Sequence, residues 1–155
     1  MLAGTAPFAL QKAPILTKST PQTILVLEDE PLVMTVFQHV LQLNGYLVLE
    51  AGSAAEAVDE FQRHQHRIDL LIADLAVPGG SGVEVGLGCL RASARLRVLL
   101  TSGSPPTTWS KVDRDNFELL PGERVAFLQK PFSPGVLLGR VADLIRPVTG
   151  MGAWA

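Results

Sequence analysis

The chain has 155 residues, enough to bury a core as one compact domain without disulfide or metal support. Apolar residues make up 47% and charged residues 18%, with a formal net charge of -2, which excludes a disordered chain and gives no basic excess for direct nucleic-acid binding. The one cysteine, Cys89, excludes an internal disulfide, and we expect it to be a small buried hydrophobe in a protein of the reducing cytoplasm.

We interpret residues 1–22 as a flexible leader. The apolar stretch 1–10 is not typical of a targeting segment, because no positive charge precedes it and Pro7 interrupts it. No window of the chain approaches the roughly 18 uncharged apolar residues that a membrane helix needs. We therefore expect no membrane insertion.

The first structural unit is a short apolar run, Thr23–Leu27, followed by a helical pattern. The run does not alternate, which is typical of a strand buried on both faces of a parallel sheet. Pro31 can begin the helix and Gly45 can end it. Apolar residues recur on one face of this helix, namely Leu32, Val33, Val36, Phe37, Val40 and Leu41.

The second and third units repeat this order. A weaker apolar run at 46–50 precedes Ser53, and a stronger one at 69–73 precedes Ser81. Each of these serines is followed three residues later by a glutamate, the spacing of a capping box at the start of a helix. We predict a regular second helix and a short third one.

The fourth and fifth units differ in quality. The run at 97–101 predicts a strand, but segment 104–124 contains three prolines and a glycine, so we expect a short or irregular fourth helix. The run Val125–Gln129 predicts the last strand. Ser133 followed by Pro134 is typical of a helix start, and an apolar stripe follows it.

Five strand-helix units in succession predict an α/β fold. Parallel strands joined by right-handed crossovers place helices on both faces of one sheet, which makes a doubly wound five-stranded parallel sheet. The predicted domain spans residues 23–146, and residues 147–155, with glycines near a chain end, are interpreted as a C-terminal tail.

Strong polar residues follow four of the predicted strands. The ends of parallel strands share one edge of a sheet, where ligands bind in open α/β folds. The residues concerned are Glu28, Asp29 and Glu30 after the first strand, Asp74 after the third, Ser102 after the fourth and Lys130 after the fifth. Converging carboxylates repel one another unless a cation joins them, and an oxygen-lined site of this kind favours Mg²⁺. A lysine and a serine nearby would supply donors for phosphoryl oxygens.

Four motifs at these strand ends resemble response-regulator receiver domains of bacterial two-component signalling. They are ILVLEDE at 24–30, LIADLAVPGGSG at 71–82, VLLTSG at 98–103 and LQKPF at 128–132, and the resemblance covers about residues 23–146. It implies a flavodoxin-like (βα)5 fold with strand order 2-1-3-4-5. It also implies a phosphoacceptor that takes a phosphoryl group from a histidine kinase or a histidine phosphotransfer protein and signals to a downstream protein partner.

Carried over position by position, the resemblance implies that Asp74 is the phosphoacceptor. Asp29 and Asp74 would bind Mg²⁺ directly, Glu28 would act through a water molecule, and the backbone carbonyl of Ala76 would complete the protein ligands. Most members of the family carry two aspartates where this chain has Glu28 and Asp29, a variant that we expect to leave metal binding intact.

The resemblance also implies a conformational switch. Lys130 would pair with Asp74 before transfer and with the phosphoryl group after it, and its bond to Pro131 would be cis. Ser102 would move to bond a phosphoryl oxygen and vacate space for the outward-facing Phe127, which replaces the commoner tyrosine. Trp109 lies in an irregular segment, where packing is the expected role rather than docking.

Two other functions stay open from the residues alone. A haloacid-dehalogenase-like phosphatase also uses an aspartate nucleophile, but it carries that residue on its first strand, whereas Asp74 follows the third. A degenerate receiver would be an interaction module without phosphorylation, which the set Asp29, Asp74, Ser102 and Lys130 argues against. We expect no enzyme in the usual sense, only catalysis of self-phosphorylation and dephosphorylation.

We expect no output domain after Ile145, and therefore a stand-alone regulator, a relay intermediate or the receiver part of a hybrid kinase.

Overall fold

The computed structural model describes residues 20–146. Five strand-helix units follow one another along these residues. The strands are β1 (Thr23–Leu27), β2 (Leu47–Ala51), β3 (Ile68–Asp74), β4 (Arg97–Ser102) and β5 (Val125–Gln129), and the helices are α1 (Pro31–Leu43), α2 (Ala54–His64), α3 (Gly82–Ala92), α4 (Lys111–Glu118) and α5 (Pro134–Ile145). The residues assigned to a leader at 1–19 and to a tail at 147–155 lie outside the described part.

The five strands form one parallel sheet in the order β2-β1-β3-β4-β5. The predicted α/β fold and its 2-1-3-4-5 order are therefore confirmed. From β1 the chain first adds β2 on one side and then adds β3, β4 and β5 on the other side. Because every crossover is right-handed, this change of direction places the helices on both faces of the sheet. Gln22, just before β1, already contacts the folded body through a side-chain hydrogen bond to the carbonyl of Ile145.

Alternate residues of the buried strands enter two separate apolar clusters. The cluster that includes α2 and α3 residues contains Leu25, Leu71 and Leu100. The cluster on the opposite face, with residues of α1 and α5, contains Ile24, Ile72 and Leu99. All six strand side chains are at most 1% exposed. The unalternated apolar runs of the sequence are thus explained by a sheet that is covered on both faces.

The start of each of the second and third helices has the serine cap that the sequence predicts. Ser53 accepts a hydrogen bond from the Glu56 N–H at 3.2 Å, whereas Ser81 accepts one from the Val83 N–H at 3.1 Å and so does not form the expected box with Glu84. The prediction of a short third helix is wrong, since α3 has 11 residues, as many as α2. Buried side chains along the whole helix, from Val83 to Leu90, stabilise it well beyond the first turn, where the capping pattern acts.

The apolar face predicted for the first helix is only partly covered. Phe37 and Leu41 are buried, but Leu32 is 82% exposed and Val36 is 56% exposed. The helix packs along the narrower stripe that includes Met34.

The fourth unit is irregular, as its prolines predict. A three-residue 3-10 turn at Pro106–Thr108 precedes α4, which has only eight residues. Trp109 lies between the two, is 5% exposed, and belongs to the apolar cluster on the α2 and α3 face. The expected packing role of Trp109 is confirmed, and it lies in the main core rather than at its margin. Among the described residues, no helix has both the length and the apolar character needed to cross a membrane.

Candidate functional site

The register of the sheet brings the four polar strand ends into one row. Asp74 is the last residue of β3 and pairs with Thr101 of β4, and Ser102 pairs with Gln129 of β5. The chain beyond β5 stays in register, because the Lys130 N–H donates to the Ser102 carbonyl at 2.8 Å. The predicted cis bond between Lys130 and Pro131 is present.

Three carboxylates meet at this edge. Glu28 is buried at 2% exposure, the Asp74 side chain is 13% exposed, and Asp29 is open to solvent. One oxygen of each lies within 4.8 Å of the others. Glu30 is the N-cap residue of α1, but its side chain makes no capping hydrogen bond, while its N–H donates to Glu28 Oε1 at 3.1 Å. Of the acidic residues after β1, the structure therefore brings Glu28 and Asp29 to Asp74.

Lys130 supplies the positive charge of the cluster. Its Nζ lies 2.8 Å from Glu28 Oε2 and 3.5 Å from Asp74 Oδ1, so the closer of its two acidic partners is the buried glutamate. The sequence indicated a pairing with Asp74, and the stronger bond to Glu28 is a feature that only the folded chain reveals. Because Glu28 holds it, the ammonium lies beside Asp74 without depending on Asp74 for its position.

The pKa values of the site reflect this crowding. Burial raises the pKa of Asp74, Lys130 lowers it by a smaller amount, and the charges of Glu28 and Asp29 raise it again. For Lys130, burial works to lower the pKa, but the hydrogen bond with Glu28 and the charges of Asp74 and Glu28 together raise it above the ordinary lysine value. The surroundings of Lys130 therefore favour its charged form, whereas those of Asp74 disfavour its ionised form.

The donor set of this cluster fits a hard divalent cation. The cluster combines three carboxyl groups with a single lysine, and oxygen ligands of this kind suit Mg²⁺. Ala76, the fourth predicted ligand, lies two residues beyond Asp74 and pairs with Ser81 in a short antiparallel hairpin. The site is thus acidic, partly open and short of positive charge.

Ser102 and Phe127, the two predicted switch residues, lie on neighbouring strands next to the cluster. The Ser102 hydroxyl accepts a hydrogen bond from the Ser104 N–H at 3.1 Å and lies 3.3 Å from the Ser104 hydroxyl, so it is turned toward its own loop. Phe127 is partly buried, and its ring meets the Trp109 ring edge to face at 5.3 Å between centroids. The movement of both residues on phosphorylation stays a prediction.

Sequence reasoning missed the role of Gly82 in this site. A Cβ at this position would lie 2.1 Å from the carbonyl oxygen of Asp74, closer than any real contact. Its N–H donates to the Leu75 carbonyl at 3.0 Å, and the Leu75 N–H donates to the Thr101 carbonyl at 2.9 Å. These contacts hold the backbone after Asp74 against β4 and α3. A glycine immediately after a capping serine, where a better helix former would be expected, was the available signal.

Comparisons with known proteins agree with this geometry. A family model described as the response regulator receiver domain matches residues 24–142. Of solved structures, the receiver domain of the hybrid histidine kinase CckA is similar, with 32% identity, a TM-score of 0.62 and coverage of 79% of this chain and 98% of that one.

Two curated relatives are transcriptional regulatory proteins. The phosphate regulon regulatory protein PhoB of Klebsiella pneumoniae is 30% identical over 132 residues, which are 83% of this chain and 53% of the relative. The regulatory protein KdpE of Mycobacterium tuberculosis is 28% identical over 79% of this chain and 50% of the relative. The chain therefore spans about half the length of the curated relatives that it matches.

Proposed function

The chain belongs to the response regulator receiver family, and from that premise we propose that it accepts a phosphoryl group on Asp74 from a phosphohistidine donor. One arrangement carries the proposal. Asp74 ends the central strand, with the Lys130 ammonium 3.5 Å away and oxygens of Glu28 and Asp29 within 4.8 Å. This combination offers a nucleophile, a donor for phosphoryl oxygens and an acidic cation site in one place.

In the proposed reaction, an Asp74 carboxylate oxygen attacks the phosphorus of the donor. A bond from phosphorus to this oxygen forms while the phosphorus–nitrogen bond of the phosphohistidine breaks, and the electron pair of that bond stays on the ring nitrogen. With the other ring nitrogen protonated, the imidazole leaves as a neutral group, and the product is an aspartyl phosphate. Lys130, held by Glu28 at 2.8 Å, donates to a phosphoryl oxygen as negative charge moves toward Asp74.

Mg²⁺ is the proposed cofactor, held by Asp29, Asp74 and the carbonyl of Ala76, with Glu28 as a further acidic neighbour. The ion would supply the positive charge that lets an anionic phosphoryl donor approach three carboxylates. Lys130 alone cannot do this, because its one positive charge already faces both Glu28 and Asp74.

The proposed partners follow from the same chemistry. A histidine kinase or a histidine phosphotransfer protein would act as donor, and a downstream protein would read the change that follows when Ser102 turns toward the phosphoryl group. The net charge of -2 supports a protein partner rather than direct nucleic-acid binding. We place this exchange in the cytoplasm, with catalysis confined to the chain's own phosphorylation and dephosphorylation.

Intact mass after incubation with acetyl phosphate and Mg²⁺ tests the proposal. We expect a gain of one phosphoryl group in the wild type and none in Asp74→Asn. The matched control is Asp69→Asn at the other end of the same strand, where the carboxylate accepts from the Thr23 N–H at 2.8 Å and pairs with Arg95, far from the cluster.

Equal labelling of Asp74→Asn and the wild type would refute the phosphoacceptor. A wild type that never gains a phosphoryl group would instead favour the degenerate receiver. Steady turnover of a small phosphate ester would favour the phosphatase.

A further inference from the structure

The indole of Trp109 contacts both α4 and β5. Its ring meets the Phe117 ring of α4 at a centroid distance of 5.3 Å and an angle of 82°, and the Phe127 ring of β5 at 5.3 Å and 78°. Its Nε1–H donates to the Ser104 carbonyl at 3.0 Å. A buried tryptophan normally needs a partner for this N–H, and here the partner is the loop that follows Ser102.

Ser104 connects the indole to Ser102. The Ser104 N–H donates to Ser102 Oγ at 3.1 Å, and the two hydroxyl oxygens are 3.3 Å apart. Two hydrogen bonds therefore separate the Trp109 indole from the Ser102 hydroxyl, which is turned toward its own loop. Within the described residues, Ser102 Oγ makes no hydrogen bond to Asp74.

The loop that carries the indole is held in place by its own contacts. The backbone N–H of Trp109 donates to the Pro106 carbonyl at 3.2 Å, and the Thr108 hydroxyl donates to the Pro105 carbonyl at 2.9 Å. Two consecutive prolines restrict the backbone before this turn. The position of the Nε1–H against Ser104 is thus set by a stiff segment rather than by a free loop.

We propose that Trp109 is a positioning residue that, through Ser104, holds the Ser102 hydroxyl away from Asp74. The inference rests on the proposed function, since it concerns the step in which Ser102 turns toward the phosphoryl group. That turn breaks the contacts between Ser102 and Ser104. A movement of Phe127 would in addition change the surroundings of the indole, because the two rings are in edge-to-face contact.

This holding contact opposes the phosphorylated state. A contact that exists only when Ser102 is turned away favours that arrangement by some factor. The affinity for a phosphoryl group falls by the same factor. One neutral hydrogen bond corresponds to a change of about fivefold in such an equilibrium. Weakening the contact should therefore tighten binding of a phosphoryl mimic.

The test uses beryllofluoride with Mg²⁺ as the mimic, and ¹⁹F NMR to measure its binding. Trp109→Phe keeps an aromatic ring against Phe117 and Phe127 but removes the N–H donor, and we expect up to about fivefold tighter binding. Ser104→Ala removes the hydroxyl contact to Ser102 and should tighten binding in the same direction by less. Trp154→Phe, the same substitution outside the described residues, is the matched control and should leave the affinity unchanged.

A spectroscopic readout separates positioning from stability. The chain has two tryptophans, so in the Trp154→Phe background the emission comes from Trp109, and we expect it to change when beryllofluoride saturates the site. A purely structural role would make Trp109→Phe bind the mimic equally or more weakly, and that result would overturn the inference. If Trp109→Phe does not fold, an unchanged affinity in Ser104→Ala overturns it.

The two proposals fail in different ways. Beryllofluoride that binds while the Trp109 emission stays constant defeats the positioning role and leaves the phosphoacceptor intact. No binding by any variant, the wild type included, defeats the proposed function and the inference together.

Discussion

Replacing Lys130 with methionine should expose how much of the site's stability depends on one ion pair. The Glu28 side chain is 1% exposed, and its Oε2 accepts from Lys130 Nζ at 2.8 Å. In Lys130→Met, that oxygen loses its partner and Glu28 keeps only the N–H of Glu30 on its other oxygen, at 3.1 Å. An unpaired buried carboxylate is among the costlier defects in a protein core.

The magnitude follows from the burial of the two partners. Breaking a buried ion pair costs about 3–5 kcal/mol, and we expect the lower end, about 3 kcal/mol, because a quarter of the Lys130 side chain is open to water that can replace it. For a domain of this size the melting temperature should fall by roughly 6–12 °C. Adding Glu28→Gln to Lys130→Met removes the charge left behind and should recover most of the loss.

Urea unfolding at pH 7 with a chelator present measures these differences. The matched control is Lys111→Met, because Lys111 also pairs with an acidic residue, Asp115, at 2.6 Å, but with side chains 79% and 58% exposed. That exposed pair should contribute no more than about 0.5 kcal/mol. Equal losses in Lys111→Met and Lys130→Met, or no recovery in the double variant, would refute the reasoning.

Two further substitutions test the rest of the site. Burial is the main cause of the raised Asp74 pKa, so the stability that this group contributes is present below its unfolded pKa and lost as the pH rises through the folded one. Asp74→Asn should therefore raise the melting temperature at pH 7 without metal. Addition of Mg²⁺ should raise the melting temperature of the wild type more than that of the variant. A variant that melts below the wild type without metal would contradict this. Gly82→Ala should cost about 3 kcal/mol or more in urea, because its Cβ would lie 2.1 Å from the Asp74 carbonyl, whereas Gly88→Ala in the same helix meets nothing within 4 Å and should gain about 1 kcal/mol. Similar effects of the two alanines would show that the close approach at Gly82 is not what requires glycine.

Local sequence patterns predicted most of the architecture. The limits of β1 and β5 match the apolar runs Thr23–Leu27 and Val125–Gln129, since a strand covered on both faces has to be apolar along its whole length. The starts of α1 and α5 follow from prolines, and those of α2 and α3 from capping serines, which act within a few residues of the backbone they satisfy. The polar strand ends could be assigned to one edge because a parallel sheet has only one such edge.

Contacts between distant residues decided the rest. Lys130 and Glu28 are 102 positions apart, and no local pattern indicates that the lysine bonds the buried glutamate more closely than Asp74. The direction of the Ser102 hydroxyl depends on Ser104, and the place of Phe127 depends on Trp109, a residue in a segment without periodicity.

The sequence by itself thus determined which elements form and which residues reach the carboxyl edge of the sheet, because periodicity, capping and strand burial act over short stretches of chain. The tertiary structure alone decided which face of α1 is covered, which carboxylate holds Lys130 and which way Ser102 turns. These outcomes depend on the distance, burial and charge of groups that meet only after the strands have assembled.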